Sequence, residues 1–178
     1  MRTDGLLSKI YSKRETREFL EMQVSDELVF KVLEAGRLAG SAKNRQPWVF
    51  ILVREKANLE KLSEFGHYAQ HLPRASFAVV IAVPDTYVQD RFDAGRAAQN
   101  MMLAAHVLGL GSCPITLHEE EGAKQFLGLP PELRIAVCIA FGYPKPVKRK
   151  GRVIRKPLEQ ILHVEKFSAP TGSAGLTF

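Results

Sequence analysis

Three stretches of the chain concentrate side chains able to do chemistry. The first is Lys13-Arg14-Glu15-Thr16-Arg17, three cations in five residues. Guanidinium forks meet phosphate oxygens two bonds at a time, so such a loop suits a phosphate group. A solvated basic turn has the same composition, and spacing alone favours the turn. The second stretch is Ser41-Ala42-Lys43-Asn44-Arg45-Gln46-Pro47-Trp48. Asn44 and Gln46 each carry donors and acceptors, suited to the edge of a heteroaromatic ring. A polar turn ahead of a strand reads the same way. The third is Gly109-Leu110-Gly111-Ser112-Cys113-Pro114-Ile115-Thr116. Its glycines let backbone approach a ligand closely, or simply stop a helix before a short strand. It is neither the dinucleotide fingerprint nor a phosphate loop.

The charge is a fourth signal. Lys and Arg total 25 against 19 Asp and Glu, a net of +6 over 178 residues. Such a surplus points to nucleic acid, a membrane surface or a smaller anion. Residues 142–157 hold seven of the cations and no acid, which leaves 18 basic and 19 acidic residues elsewhere. The basicity is therefore local. Tyr143 is the only aromatic near it, whereas single-strand binding interleaves aromatics with cations, so nucleic acid is not expected. His67 and His71 stand four apart, but no Glu follows His67 as the zinc motif demands, and no metal is expected. Cys138 lies in an apolar run and reads as core; Cys113 has no neighbouring histidine to support a nucleophilic role. Two cysteines, no apolar run of membrane-spanning length and no signal-peptide layout at the N-terminus suggest a cytoplasmic, membrane-free protein.

Periodicity supplies the elements that must position these residues. Leu6, Leu7, Ile10 and Tyr11 have helical spacing, and Ser25 is a candidate N-cap for a helix running to about Arg37. Trp48–Val53 reads as a buried strand, 56–66 as a helix and Phe77–Val83 as a second buried strand. Residues 91–108 form the longest helix, stopped by Gly109. Ser112–Thr116 is a short extended piece, Glu119–Leu127 a helix ended by Gly128, and Ile135–Phe141 a third clear strand. Helices alternating with strands over one sheet make one layered α/β or α+β domain.

In order along the chain, these segments resemble the FMN-dependent nitroreductase family. The resemblance rests on the basic loop, Ser-x-x-Asn-x-Gln-Pro-Trp before a strand, a small-residue helix ending Gly-Leu-Gly-Ser, the Pro-Ile turn, Phe-Gly-Tyr-Pro after a strand, the basic arm and Pro-Leu-Glu-x-x-x-His. It runs from about Ile10 to Phe167. It implies an α+β fold, a three-layer α-β-α sandwich whose central mixed or antiparallel sheet is flanked by helices, with a C-terminal segment reaching a partner subunit. Residues 1–167 would form one FMN-binding domain and 168–178 a tail.

The resemblance also implies roles. Lys13, Arg14, Glu15 and Arg17 align with the stretch that grips the FMN phosphate and ribityl chain; Glu15 replaces the usual serine and would turn to ribityl hydroxyls or to an arginine. Ser41, Asn44 and Gln46 match the loop beside the flavin. Pro114, Ile115, Thr116 and Leu117 match the turn that lies on the isoalloxazine near N5. Gln70 and His71 fall where another flavin contact is placed. Arg155, with Arg152 and Lys156 beside it, matches a cationic arm that reaches the phosphate. The implied activity is ping-pong transfer from NADH or NADPH through flavin N5 to a nitroaromatic, quinone or similar acceptor, with no protein acid or base. The implied assembly is a homodimer with each flavin touched by both chains. Reductive dehalogenation, flavin-modifying chemistry and non-catalytic FMN binding are the alternatives. The short connection from Pro84 to Asp93 predicts that a helical lid is missing there.

Overall fold

The computed structural model describes residues 5–146 and 154–167. The chain divides at Pro146/Val147 into two compact units. In the first, five α-helices and four strands follow one another: α1 Gly5–Ser12, α2 Asp26–Arg37, β1 Val49–Val53, α3 Lys56–Ser63, β2 Phe77–Val83, α4 Val88–Val107, β3 Gly111–Ile115, α5 Glu120–Leu127 and β4 Arg134–Gly142. The strands form one antiparallel sheet in the order β1-β2-β4-β3.

Side chains alternate across a strand, so each face of the sheet collects its own core. Phe77, Val79, Ile81 and Val83 join Ile139 and Phe141 against α2 and α4; the Phe77 and Phe141 rings stack at 4.8 Å. Ala78, Val80, Cys138 and Ala140 face Leu59 and Leu62 of α3 and Ala123 of α5. The result is the expected α-β-α sandwich. All seven residues of β2 are buried, which is why this antiparallel strand reads as an unbroken apolar run. Burial pushes the Cys138 thiol up to about 12, so it stays protonated in the core.

Helix ends obey local chemistry. Ser25 accepts from the Leu28 amide and Asp26 and Glu27 occupy the first turn of α2, where the helix dipole favours acids. Gly109, at φ 81°, ends α4, and the Leu110 amide turns back to the Ala105 carbonyl. Between α2 and α4 the approach is very close: a Cβ on Gly36 would lie 2.2 Å from Cε of Met101.

Three expectations are corrected. β1 is an edge strand, not a buried one: only Val53 is buried, while Val49 and Leu52 stay 43% and 40% exposed. An apolar run records what a strand is able to bury, not whether a neighbour stands on both sides. α3 stops at Ser63, so His67 and His71 share no helix face; His67 stacks on His118 instead, ring centroids 4.1 Å apart. α4 begins at Val88, earlier than the periodicity predicts, because Asp90 caps its start by accepting from the Thr86 and Tyr87 amides. Only Pro84–Tyr87 join β2 to α4, with no inserted helix.

In the second unit, a single helical turn at Leu158–Gln160 is described, and the His163 ring packs on Phe167. No helix among the described residues is long and apolar enough to cross a membrane.

Candidate functional site

The basic loop is tied along the outer edge of β3. The Thr16 amide donates to the Ser112 carbonyl at 2.9 Å, and a Cβ on Gly111 would meet the Thr16 side chain at 2.8 Å, so glycine is what lets the loop lie this close. Beyond it, Phe19 bridges to Pro144 and is buried, and Leu20 and Lys145 exchange backbone bonds with Tyr143 and Glu18. The loop is thereby fixed between the sheet edge and the segment after β4.

Its cations have separate fates. Lys13 is drawn in: its Nζ lies 2.6 Å from Oε1 of Glu15 and 3.7 Å from the Met102 sulfur. Glu15, the residue standing in place of serine, thus faces a lysine rather than an arginine. Arg14 donates to the carbonyls of Tyr11 and Lys13 and so caps the end of α1. Arg17 is exposed, and no hydrogen bond or ion pair holds it among the described residues. It lines a cleft of about 370 Å³ with Glu18, Tyr68, Gln70, His71 and Arg74.

Tyr68, Gln70 and His71 of that cleft belong to a segment, residues 65–71, that is laced to the residues after β3. The Glu119 amide donates to the Phe65 carbonyl and the His67 amide to Nδ1 of His118. A Cβ on Gly66 would sit 3.0 Å from the Thr116 carbonyl oxygen, so this strand-end turn and the 66–71 segment also need a glycine to meet. Pro114 and Thr116 are exposed on the turn while Ile115 and Leu117 anchor it in the core. Arg17 is therefore brought to Gln70 and His71 in one cleft, while Pro114–Leu117 meets the 66–71 segment through Gly66 and lies outside the cleft lining.

His71 is 8% exposed and its Nε2 is buried without a partner. Burial first, then the charge of Arg17, lowers its pKa, so the ring is neutral near pH 7. Cys113, buried on β3, is pushed up by burial; Arg17 and Lys13 act in the other direction. It is a thiol, not a nucleophilic thiolate.

The Ser41–Gln46 loop lies elsewhere. It packs on the first half of α4: the Ala42 amide donates to Oδ2 of Asp93 at 2.8 Å, and Arg45 approaches Oδ1 of Asp90 at 3.5 Å while stacking over the Tyr87 ring at 4.4 Å. Lys13 touches the same helix nine residues beyond Asp93, about 13 Å further along at 1.5 Å per residue. Lys43, Asn44 and Gln46 all take left-handed backbone angles, at φ 52°, 54° and 51°. For residues with side chains this costs on the order of 1–3 kcal/mol each and persists only where surroundings enforce it. Ser41 helps enforce it: its Oγ accepts from the Gln46 amide at 2.9 Å.

Asp90 and Asp93, both 1% exposed, were not singled out by the sequence. Acids in the first two turns of a helix read as dipole partners; their burial was the missing signal. Of the cationic arm, Arg155 and Lys156 are exposed in the second unit, and Arg152 falls outside the described residues, as does the 168–178 tail.

The sandwich, the edge-bound loop and the Pro-Ile turn define an α+β fold with an antiparallel sheet between two helical layers, and comparison identifies its family. The sequence profile described as the Nitroreductase family matches residues 10–143. An Archaeoglobus fulgidus protein provisionally named NADH dehydrogenase/NAD(P)H nitroreductase is 37% identical over 154 residues, covering 80% of this chain and 87% of that one. A Clostridium difficile structure described as an FMN-dependent nitroreductase superposes with a TM-score of 0.82 at 26% identity, over 90% of this chain and 99% of that one. The Vibrio harveyi NADPH:FMN oxidoreductase, solved with NAD+, shares the fold at a TM-score of 0.83 and 22% identity, over 93% and 79% of the two chains. The chain belongs to the nitroreductase family of oxidoreductases.

Proposed function

We propose that this chain is an FMN-dependent oxidoreductase that carries reducing equivalents from NADH or NADPH to a small acceptor such as a nitroaromatic or quinone. The observation that carries the reading is Arg17, an exposed guanidinium with no ion pair among the described residues, in one cleft with a buried imidazole whose Nε2 lacks a partner. The fit to FMN is sound in kind. A phosphate dianion needs charge-assisted donors, and Arg17 is available as one. Arg74 lines the same cleft and meets Glu18 only at 3.8 Å. Lys13 and Arg14 are committed to Glu15 and to the end of α1, so they shape the loop rather than grip the anion. Arg152, Arg155 and Lys156 come to the phosphate by resemblance alone.

Bound FMN supplies hydride transfer in two half-reactions, first from the nicotinamide and then to the acceptor. The chain's own residues bind and orient. Arg17 anchors the phosphate end, and neutral His71 adds no second charge beside it. The Pro114–Leu117 turn, held by the buried side chains of Ile115 and Leu117, offers a rigid surface for a flat ring. No side chain is given the role of acid or base.

The same reading makes the protein a homodimer. Within one chain the Ser41–Gln46 loop stands apart from the Arg17 cleft, tied to the other end of α4. A flavin touched by both segments would take the loop from a second copy. Exposed Phe30, Val88 and Phe92 on α2 and α4 supply apolar surface for such a pairing.

The test is anaerobic. Protein loaded with FMN should turn yellow, bleach when NADH or NADPH is added, and recover its colour with a nitroaromatic or quinone. A chain that binds no FMN, or whose bound flavin neither nicotinamide bleaches, refutes the reading.

A further inference from the structure

The Ser41–Gln46 loop holds an unusual arrangement. Its three left-handed residues, Lys43, Asn44 and Gln46, are its three exposed ones, while Arg45 between them turns inward over Tyr87. Their backbone angles therefore do visible work: they aim three polar side chains outward from one short loop. Within the loop, the Asn44 amide donates to the Ser41 carbonyl at 3.0 Å and the Arg45 amide to the Ala42 carbonyl at 3.1 Å. Ser41 ties one end through the Gln46 amide, and the Gln46 side chain reaches the Asn44 carbonyl at 3.3 Å. The rest of the restraint comes from α4. Asp93, buried, uses Oδ2 to accept from the Ala42 amide, and Oδ1 faces Arg96 at 3.5 Å. Arg96 in turn occupies the space next to Gly40, where a Cβ would lie 2.3 Å from its Nη2. Asp90, also buried, holds the turn before α4 through the Thr86 and Tyr87 amides and so sets the Tyr87 ring on which Arg45 rests.

Taking carboxylates out of water is costly unless they are paired and hydrogen-bonded. Two of them, one turn apart, are spent on one loop. We infer that Asp93, seconded by Asp90, is a positioning residue: it holds Ser41–Gln46 in its left-handed form so that Asn44 and Gln46 are preset for the flavin before the flavin arrives. The inference rests on the flavin reading above, and preorganisation of this kind favours binding by removing the ordering cost from the binding step.

The experiment uses the whole chain, stripped of flavin and titrated with FMN by fluorescence quenching. Asp93→Ala should weaken FMN binding about tenfold, alter the visible circular dichroism of the bound flavin and accelerate amide exchange at residues 42–46. Asp93→Asn keeps an oxygen for the Ala42 amide and should recover most of the affinity. Asn44→Ala serves as the contact control. Should Asp93→Ala fold poorly, Ser41→Ala removes the other tie without touching a buried charge and should show the same faster exchange with a smaller loss of affinity. A folded Asp93→Ala chain with wild-type FMN affinity and wild-type exchange at 42–46 overturns the inference. If Asn44→Ala weakens binding while Asp93→Ala does not, the loop touches flavin but Asp93 does not position it. If the parent chain binds no FMN at all, it is the flavin reading that falls.

Discussion

The Arg17 cleft and the Ser41–Gln46 loop are built on opposite plans. In the cleft, partners are left unused: among the described residues Arg17 has no counter-ion and His71 keeps an unpartnered nitrogen. In the loop, most groups are used, the buried Arg45 Nε excepted: a serine hydroxyl, two buried carboxylates, an aromatic face and a neighbouring guanidinium surround six residues, three of them at left-handed angles. The first stores binding capacity as unsatisfied charge. The second stores it as fixed shape. A ligand with an anionic end and a flat polar-edged end would use both, each for the part it suits.

The comparison is broken most directly at Arg17. Arg17→Ala should weaken FMN binding by about 1.5–3 kcal/mol, the worth of a hydrogen bond to a charged group, with little change in urea midpoint because no folded partner is lost. Arg14→Ala should do the reverse, lowering stability through the end of α1 and leaving FMN affinity nearly intact. Equal effects on binding from both would mean that the cations act as a diffuse patch.

A smaller effect separates the two plans by pH. His71 has its folded-state pKa lowered, by burial and then by Arg17, from an ordinary value of 6.5. Above that value both folded and unfolded chains leave it neutral, so it contributes nothing. As pH falls below about 6.5, the unfolded chain takes up the proton first and stability drops until the folded-state pKa is passed. Urea midpoints of the flavin-free chain should fall over this range, and His71→Gln should flatten the fall. A His71→Gln profile parallel to that of the parent would remove the buried imidazole from the account.

The smallest expected effect lies in the loop. Lys43→Gly relieves a left-handed residue but loosens the unfolded chain, so it should raise stability by only about 0.5 kcal/mol. Thermal melts would show it. A marked loss instead would mean that the Lys43 side chain, not its backbone, matters to the loop.

Much of the fold was legible in the sequence because it depends on local pattern. β2 was read to the residue, Phe77–Val83, since a strand buried on both faces is apolar throughout, and Gly109 and Gly128 marked two helix ends. What was not legible depends on partners far away in the chain. β1 has the composition of a central strand and lies at an edge. Lys13, Arg14 and Arg17 look alike in sequence, yet Lys13 turns inward to Met102 of α4, eighty-nine residues on, while Arg14 settles locally on the end of α1 and Arg17 is left over. Nothing in the local pattern marks Asp90 and Asp93; their burial against a loop some fifty residues earlier is what gives them a role.

One contact made by neither region bears on the lifetime of the molecule. Gly36 gives Met101 just enough room at the crossing of α2 and α4, with the sulfur 3.2 Å from where a Cβ would stand. Oxidation of that thioether adds an oxygen and a dipole where there is space for neither. Met101 is fully buried there and Met22 is exposed, so oxidant meets Met22 first, and the packing that admits no added atom at the crossing of α2 and α4 also keeps oxidant away from it.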